Sequence, residues 1–345
     1  EFWDTETRTK IHEIDYNFPL AYLETHPNKD IAILNTTNTL AHIVSIKSKE
    51  IVGSIDHDCF TKLNSFGFAN DKNILGIAKG MSVYIWDLNS QKLINKIIKD
   101  SNNQNYISSI SFTGDGKYIC TGSFGNNEAN IWEVSTGEKL CGPLSHENGI
   151  INSHFIKTDG RVKLITASAD EKIRIWEMPS GKLLNTIDED AWPVHIDLSN
   201  NILLTAGVGN SSYPSSVRIW DLNKNSKLIP NINYSGAIYS AKFMNSGKVV
   251  AAVDNDNLFR VWDTSTGKPL IDPIKNIYSV AISRKDYYAH TVGENLYLSR
   301  IPKTIETPPS LLPNFIESVA GISISTSGIA EEVSKERLNE NINKI

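Results

Sequence analysis

The sequence predicts an all-β fold built from one repeated unit of four short strands. Three observations predict it. Tryptophan recurs at Trp86, Trp132, Trp176, Trp220 and Trp262, at intervals of 46, 44, 44 and 42 residues. Each of these residues closes a short alternating segment, and an acid, a few turn residues and a basic residue opening a new apolar run follow it. Between the tryptophans the apolar runs are short and bounded by Gly, Asn, Asp and Ser, which is strand and turn patterning rather than helical periodicity.

The elements follow in chain order. Phe2-Trp3-Asp4 has the form of the end of a third strand. That form leads us to expect that the chain is the C-terminal piece of a larger protein. Thr7 to Ile14 is the first fourth-strand candidate, and it is expected to complete the sheet of the last unit and so close a ring without an exposed edge. Three-strand units then fall near 18–46, 62–88, 106–134, 150–178, 193–222, 236–264 and 276–301. The unit at 106–134 shows the pattern best. Ser109 to Phe112 ends at the turn Thr113-Gly114-Asp115-Gly116, Lys117 to Gly122 follows, and the third strand ends at Trp132. Two copies are degenerate: Val44 stands in the tryptophan place of the first unit and Arg300 in that of the last. About 301 residues at a mean spacing of 44 make seven units. Residues 302–345 differ in composition. Thr304 to Pro313 is a Pro-rich linker, and a helix is expected from about Ile329 to Ile345, with Glu331 and Glu332 at its N-terminal end.

This pattern resembles the WD-repeat family. The resemblance covers about residues 1–301 and implies a seven-bladed β-propeller closed by the N-terminal strand, with a short C-terminal helical tail. The best copy runs from His146 to Trp176. There His146, Ser168, Asp170 and Trp176 match the family's buried hydrogen-bonded tetrad, in which the acid accepts from the histidine, the histidine meets the hydroxyl, and the hydroxyl meets the indole. His57 is the other histidine at that position, and most units lack the tetrad. The stretch from Pro313 to Gly321, with Arg337-Leu338, resembles tails of bacterial WD-repeat regions that follow kinase or signalling modules.

Composition narrows the function. The chain has 345 residues, a net charge of −5, and 40% apolar residues, so nucleic acid and membrane surfaces are not expected partners. Cys59, Cys120 and Cys141 are too widely spaced for a disulfide framework or a zinc site and fit a reduced, cytoplasmic protein. The eight histidines form no His-Glu-x-x-His pair, and no Gly-x-Ser-x-Gly elbow occurs. Thr266-Gly267-Lys268 lacks the rest of a phosphate loop and is followed by Pro269. No metal and no cofactor is expected, and the protein is expected not to be an enzyme. The acids after each tryptophan, Asp87, Glu133, Glu177, Asp221 and Asp263, are expected to bond turn amides or nearby cations.

Function in such a ring is expected in its loops. The resemblance places one face at the mouths of the first strands, where alignment sets Pro19, Lys62, Tyr106, Gly149, Trp192, Ala237 and Asn276. Trp192 stands outside the tryptophan series, and its unit also carries the longest second-to-third-strand loop, Gly207 to Ser216, with Tyr213 and Pro214. Tyr106 with Phe124 and Asn126 forms a second candidate patch. Aromatic residues of this kind dominate interface energetics. The expected function is therefore a protein-interaction scaffold or sensor domain that binds a protein or peptide through Trp192, Tyr213, Pro214, Tyr106, Phe124 and Lys62. The alternatives are a regulatory arm of a larger signalling enzyme, with a kinase or NTPase module upstream, and a propeller enzyme with its own central site.

Overall fold

A computed structural model of the chain describes residues 2–3, 10–12, 20–25, 31–36, 40–45, 50–56, 65–69, 71–90, 92–98, 106–158, 160–189, 191–209, 215–234, 236–275, 280–282, 287–292, 295–300, 322–324 and 330–332. The chain divides into two compact units, Glu1–Arg300 and Ile301–Ile345.

The first unit is a succession of antiparallel sheets, each made of strands consecutive in sequence. The first sheet is Leu20–Thr25, Ile31–Thr36, Leu40–Ser45 and Glu50–Asp56. The second is Ser65–Phe68, Ile74–Lys79, Ser82–Asp87 and Lys92–Ile98. The third is Ile107–Phe112, Tyr118–Ser123, Glu128–Glu133 and Lys139–Ser145. The fourth is Ile150–Thr158, Arg161–Ser168, Lys172–Glu177 and Leu183–Asp188. The fifth joins Trp192–Ser199, Ile202–Val208 and Ser215–Asp221 to two short outer pieces, Ser226–Lys227 and Ile232–Tyr234. The sixth is Ile238–Met244, Val249–Asp254 and Phe259–Asp263, with bridges from Phe259 to Ile274 and from Trp262 to Pro269 where a fourth strand would lie. The seventh is Val280–Ile282, Tyr287–Val292 and Asn295–Arg300. From the second sheet to the sixth, the first strands of successive sheets lie side by side.

The period-2 patterning of the third strands now has a physical meaning. From the second sheet to the sixth both faces are buried, so the core lies between sheets. In Ser82–Asp87, Val83 and Ile85 pack towards the third sheet, in one cluster with Ile107, Ile110, Phe112 and Ile119. Trp86 faces the other way, onto Leu75, Ile77 and Ile43 of the first sheet. The same arrangement repeats down the chain. Trp176 packs with Cys120, Ile131 and Leu144 of the third sheet, Trp220 with Ile165, Ile175 and Ile187 of the fourth, and Trp262 with Leu204, Val217 and Ile219 of the fifth. Each tryptophan is thus the plug of the seam with the preceding sheet. Burying a side chain of that size contributes a few kcal/mol per seam. Close approach across seams needs missing side chains. A Cβ on Gly122 would lie 2.5 Å from Ile150 Cγ2 of the next sheet, and one on Gly76 would lie 2.7 Å from Phe112 Cε2.

The acids after the tryptophans act locally. Asp87 accepts from the amides of Asn89 (2.7 Å) and Ser90 (3.1 Å), Asp221 from those of Asn223 (2.9 Å) and Lys224 (3.1 Å), and Asp263 from those of Ser265 and Thr266 (both 2.9 Å). Glu133 accepts from Thr136 Oγ1 at 3.0 Å and Glu177 from Ser180 Oγ at 2.9 Å. They close third-to-fourth-strand turns.

The fourth strands share a defect. Opposite the residue in the tryptophan place, the register slips by one in the first four sheets, between Ile51 and Gly53, Leu93 and Asn95, Lys139 and Cys141, and Leu183 and Asn185. Val52, Ile94, Leu140 and Leu184 are the extra residues, and the last three are exposed. A bulge beside a lysine twists an outer edge away from straight pairing.

Two expectations are corrected. The strand expected to close the ring pairs elsewhere: Lys10–His12 lies antiparallel to Phe2–Trp3, not to Asn295–Arg300. Pairing two segments that are six residues apart in sequence costs far less loop entropy than pairing segments across the whole unit. In the second unit, the expected helix does not begin at Ile329, because Ala330–Glu332 is a strand paired with Ile322–Ile324. The alternation Ile322-Ser323-Ile324 and the Ser/Thr/Gly turn before Ile329 favour a hairpin there. The remainder of the expected helix lies outside the described residues.

Candidate functional site

Every antiparallel sheet of this kind places the start of its first strand and its second-to-third-strand turn at the same end. That end is the candidate face, and two buried polar networks hold it together. The first joins the third and fourth sheets. Trp176 Nε1 donates to Thr166 Oγ1 (2.8 Å), Thr166 Oγ1 lies 2.8 Å from His146 Nε2, and His146 Nδ1 lies 3.2 Å from Asp170 Oδ2. One tautomer satisfies all three: Nδ1–H donates to Asp170, and Nε2 accepts from the threonine. Arg174 Nη1 donates to Asp170 (2.6 Å) and touches His146 Nδ1. Burial first, and then the Arg174 charge, push the His146 pKa down from 6.5 to about 4, so the imidazole is neutral at pH 7. Burial works against the Asp170 carboxylate, but hydrogen bonds from Arg174 and the Glu147 amide outweigh it and lower its pKa.

This corrects the expected tetrad at one position. Ser168 does not meet the indole. Its hydroxyl donates to Asn148 O (2.8 Å) and accepts from the Asp170 amide (3.1 Å), which braces the turn. Thr166 shares its face of the strand, one pleat nearer the indole, so counting along the strand two residues too far exchanged their roles.

The second network was not legible in the sequence. Glu189 follows the fourth strand of its sheet as His146 follows its own, and it takes the same place. Its Oε1 accepts from Thr205 Oγ1 (2.8 Å) and Trp220 Nε1 (3.0 Å) of the next sheet, and Arg218 Nη1 lies 2.8 Å from Oε2. Both side chains are essentially inaccessible, at 0% and 1%. Burial pushes the Glu189 pKa up, while Arg218 and the Thr205 and Trp220 hydrogen bonds pull against it. The position two residues before the last three tryptophans of the series is a partial signal of this pair, since Arg174, Arg218 and Arg260 occupy it. Arg260 pairs with Asp254.

On this frame stand the expected contact residues. Trp192 opens the fifth sheet and is 49% exposed, while its neighbour Ala191 is buried. Tyr106 (45%) and Phe124 (37%) are exposed together, with rings nearly parallel (4°) and centroids 6.4 Å apart. Phe124 also lies over the start of the fourth sheet, where a Cβ on Gly149 would come within 2.6 Å of its Cδ2. Tyr213, Pro214, Lys62, Pro19 and Asn276 lie outside the described residues, as do Cys59 and His57. Beside the aromatic pair, the loop carrying Glu147 is joined to the turn of Phe124, since Asn127 Nδ2 donates to Glu147 O (3.3 Å), and the Glu147 carboxylate lies 3.6 Å from Lys172 Nζ. Across the same sheets, Lys117, Lys139, Lys157, Arg161, Lys163 and Lys182 stand at the opposite end or on the outer strand.

Among the described residues no group of three or more His, Cys, Asp or Glu side chains is placed to hold a metal ion. A shallow cleft at the opposite end, between Asp197–Asn200, Phe243 and Ser246-Gly247, has its carboxylate engaged: Asp197 Oδ2 accepts from the Phe243 amide at 2.8 Å. Among the described residues no helix is long and apolar enough to cross a membrane.

Consecutive antiparallel sheets, packed first strand to first strand with shared seams, define a protein of the propeller class. A family model described as "WD domain, G-beta repeat" matches residues 95–133. Over that repeat the chain is similar to WD-repeat proteins. It is 24% identical over 188 residues to Autophagy-related protein 16 of Arabidopsis thaliana, covering 54% of this chain and 35% of that protein. It is 23% identical over 209 residues to COMPASS component SWD3 of Saccharomyces cerevisiae, covering 57% of this chain and 63% of that protein. The chain thus spans less than two thirds of these relatives. Among solved structures, the RRP9 WD40 repeats superpose with a TM-score of 0.61 at 16% identity, over 82% of this chain and 89% of that one. That likeness carries the fold.

Proposed function

We propose that the protein is a non-enzymatic interaction module: a seven-bladed propeller that binds a protein or peptide on the face bearing Tyr106, Phe124 and Trp192. The observation that carries this reading is the exposure of three large aromatic side chains at the end of the sheets that buried polar networks brace. Such a surface costs solvation unless a partner covers it, and its rigid backing keeps the ordering cost of binding small. The seven sheets of the first unit are its blades. One relative is named as a component of an assembly, which supports the same direction. Neither nucleic acid nor membrane is the proposed partner, and the proposed compartment is the cytoplasm.

The test is affinity capture from the source cells with the wild type, a Tyr106→Ala/Trp192→Ala variant, and a Lys157→Ala control at the opposite end. Partners retained by the wild type and control but lost by the aromatic variant support the reading. Identical capture by all three, with the fold intact by circular dichroism, overturns it.

A further inference from the structure

The loop under Phe124 carries the chain's one Asn-Gly dipeptide, Asn148-Gly149. It lies in the short connection between Lys139–Ser145 and Ile150–Thr158, and Asn148 is exposed there. The Gly149 amide donates to Asn148 Oδ1 at 2.8 Å. The amide nitrogen thus stands against the oxygen bonded to Cγ, the carbon it would attack, and its N–H polarises that carbonyl. Ser168 Oγ donates to Asn148 O at 2.8 Å, which draws electron density from the same peptide unit and makes its N–H more acidic. Two other asparagines make the same contact with the next amide at 2.8 Å, Asn95 with Lys96 and Asn152 with Ser153. Both stand inside paired strands and precede a residue with a Cβ. Gly149 has none, which frees its backbone to turn towards Cγ. Phe124 occupies the space left: a Cβ on Gly149 would lie 2.4 Å from Phe124 O and 2.6 Å from its ring.

We propose that Asn148 is a site of spontaneous deamidation, and that its conversion remodels the loop on which Phe124 rests. The Gly149 nitrogen, having given up its proton, attacks Asn148 Cγ. The new Cγ–N bond closes a succinimide, the Cγ–Nδ2 bond breaks, and Nδ2 leaves as ammonia with that proton. Water then opens the ring. Cleavage at Cγ restores the main chain with an aspartate at this position. Cleavage at the main-chain carbonyl carbon gives isoaspartate, whose backbone runs through Cγ. Water is the only co-reactant, and nothing is oxidised or reduced. The isoaspartate product adds a methylene to a connection whose ends are held. The His146 amide donates to Asn127 O (2.8 Å), and the Gly149 carbonyl accepts from the Ala169 amide (2.9 Å). These bonds and the seat of Phe124 on Gly149 must shift to take up the extra length.

The experiment incubates the full chain in mildly alkaline buffer and follows each asparagine by peptide mapping and mass spectrometry. The tryptic fragment from Leu140 to Lys157 contains both Asn148 and Asn152, so one spectrum compares them. Asn148 is expected to convert about tenfold faster than Asn152 or Asn95, and labelling by an isoaspartyl methyltransferase should find isoaspartate in the product. Asn148→Gln lengthens the side chain by a methylene, disfavours ring closure and should abolish the change, with circular dichroism showing that the variant is folded. Hydrogen exchange in the fragments carrying Phe124 and His146 should quicken as the wild type converts and stay constant in Asn148→Gln. No conversion at Asn148, or conversion at Asn95 or Asn152 as fast, overturns the site. Conversion with unchanged exchange overturns the remodelling. Neither result bears on the interaction reading, which the capture experiment decides separately.

Discussion

Replacing Glu189 by alanine should be among the most destabilising single changes in the first unit. Glu189 and Arg218 face each other at 2.8 Å with essentially no solvent. Alanine leaves the guanidinium charge buried and uncompensated, which costs roughly 3–5 kcal/mol. It also removes the acceptor of Thr205 and Trp220, whose bonds at 2.8 and 3.0 Å contribute about 1 kcal/mol each. These terms overlap, and a net loss of about 4 kcal/mol is expected. Urea unfolding followed by tryptophan fluorescence reads it as a midpoint shift of about 1–2 M at unchanged slope. Glu189→Gln keeps the acceptor and loses only the charge, so it should fall between. The decisive arm is Glu189→Met/Arg218→Met: with both charges gone, most of the stability should return. A Glu189→Ala midpoint within experimental error of the wild type would refute the reasoning, and so would a double variant as unstable as the single one.

Acid should weaken the seam between the third and fourth sheets. The His146 pKa falls from 6.5 to about 4 on folding, so its contribution is complete above pH 6.5 and is lost as the pH drops towards 4. The loss is roughly 3 kcal/mol at most, and His146→Gln should flatten that part of the stability–pH curve measured by thermal melts. Thr166→Val should cost about 2–4 kcal/mol, because it strands both the His146 ring and the Trp176 indole. Ser168→Ala should cost about 1 kcal/mol, and the reverse order in urea titrations would restore Ser168 to the tetrad. Gly122→Ala places a methyl 2.5 Å from Ile150 Cγ2 and should lower stability by about 1–3 kcal/mol, read in the same assay.

The repeat was readable because the tryptophans stand at one strand end in every copy and each must fill the same seam. The acids after them were readable for the same reason: a short turn repeated five times poses the same hydrogen-bonding problem each time. What escaped was partnership across the chain. Thr166 and Ser168 have similar side chains on one strand face, and only register distinguishes them. Glu189 sits in an acidic stretch, Asp188-Glu189-Asp190, of the kind that solvated turns carry, yet its side chain is buried. The aromatic pair was legible as two exposed-position residues, but their parallel stacking depends on Gly149 in the next unit. The tail departs from expectation because Glu331 and Glu332 suit a helix start, whereas Ala330–Glu332 is a strand paired with Ile322–Ile324.

The tryptophan of each sheet belongs to the seam with the sheet before it, so the sequence repeat and the cooperative unit are out of step. A single excised repeat would contain four strands and no core. Two adjacent repeats would contain one complete seam and two bare faces. Duplication of one repeat can therefore lengthen the series without redesign, since the copied tryptophan meets a copied wall. Loss of a repeat heals only where the newly apposed wall and plug fit. The conserved quantity under such rearrangement is the match between neighbours, and the loops of each copy are left free to diverge into different binding surfaces.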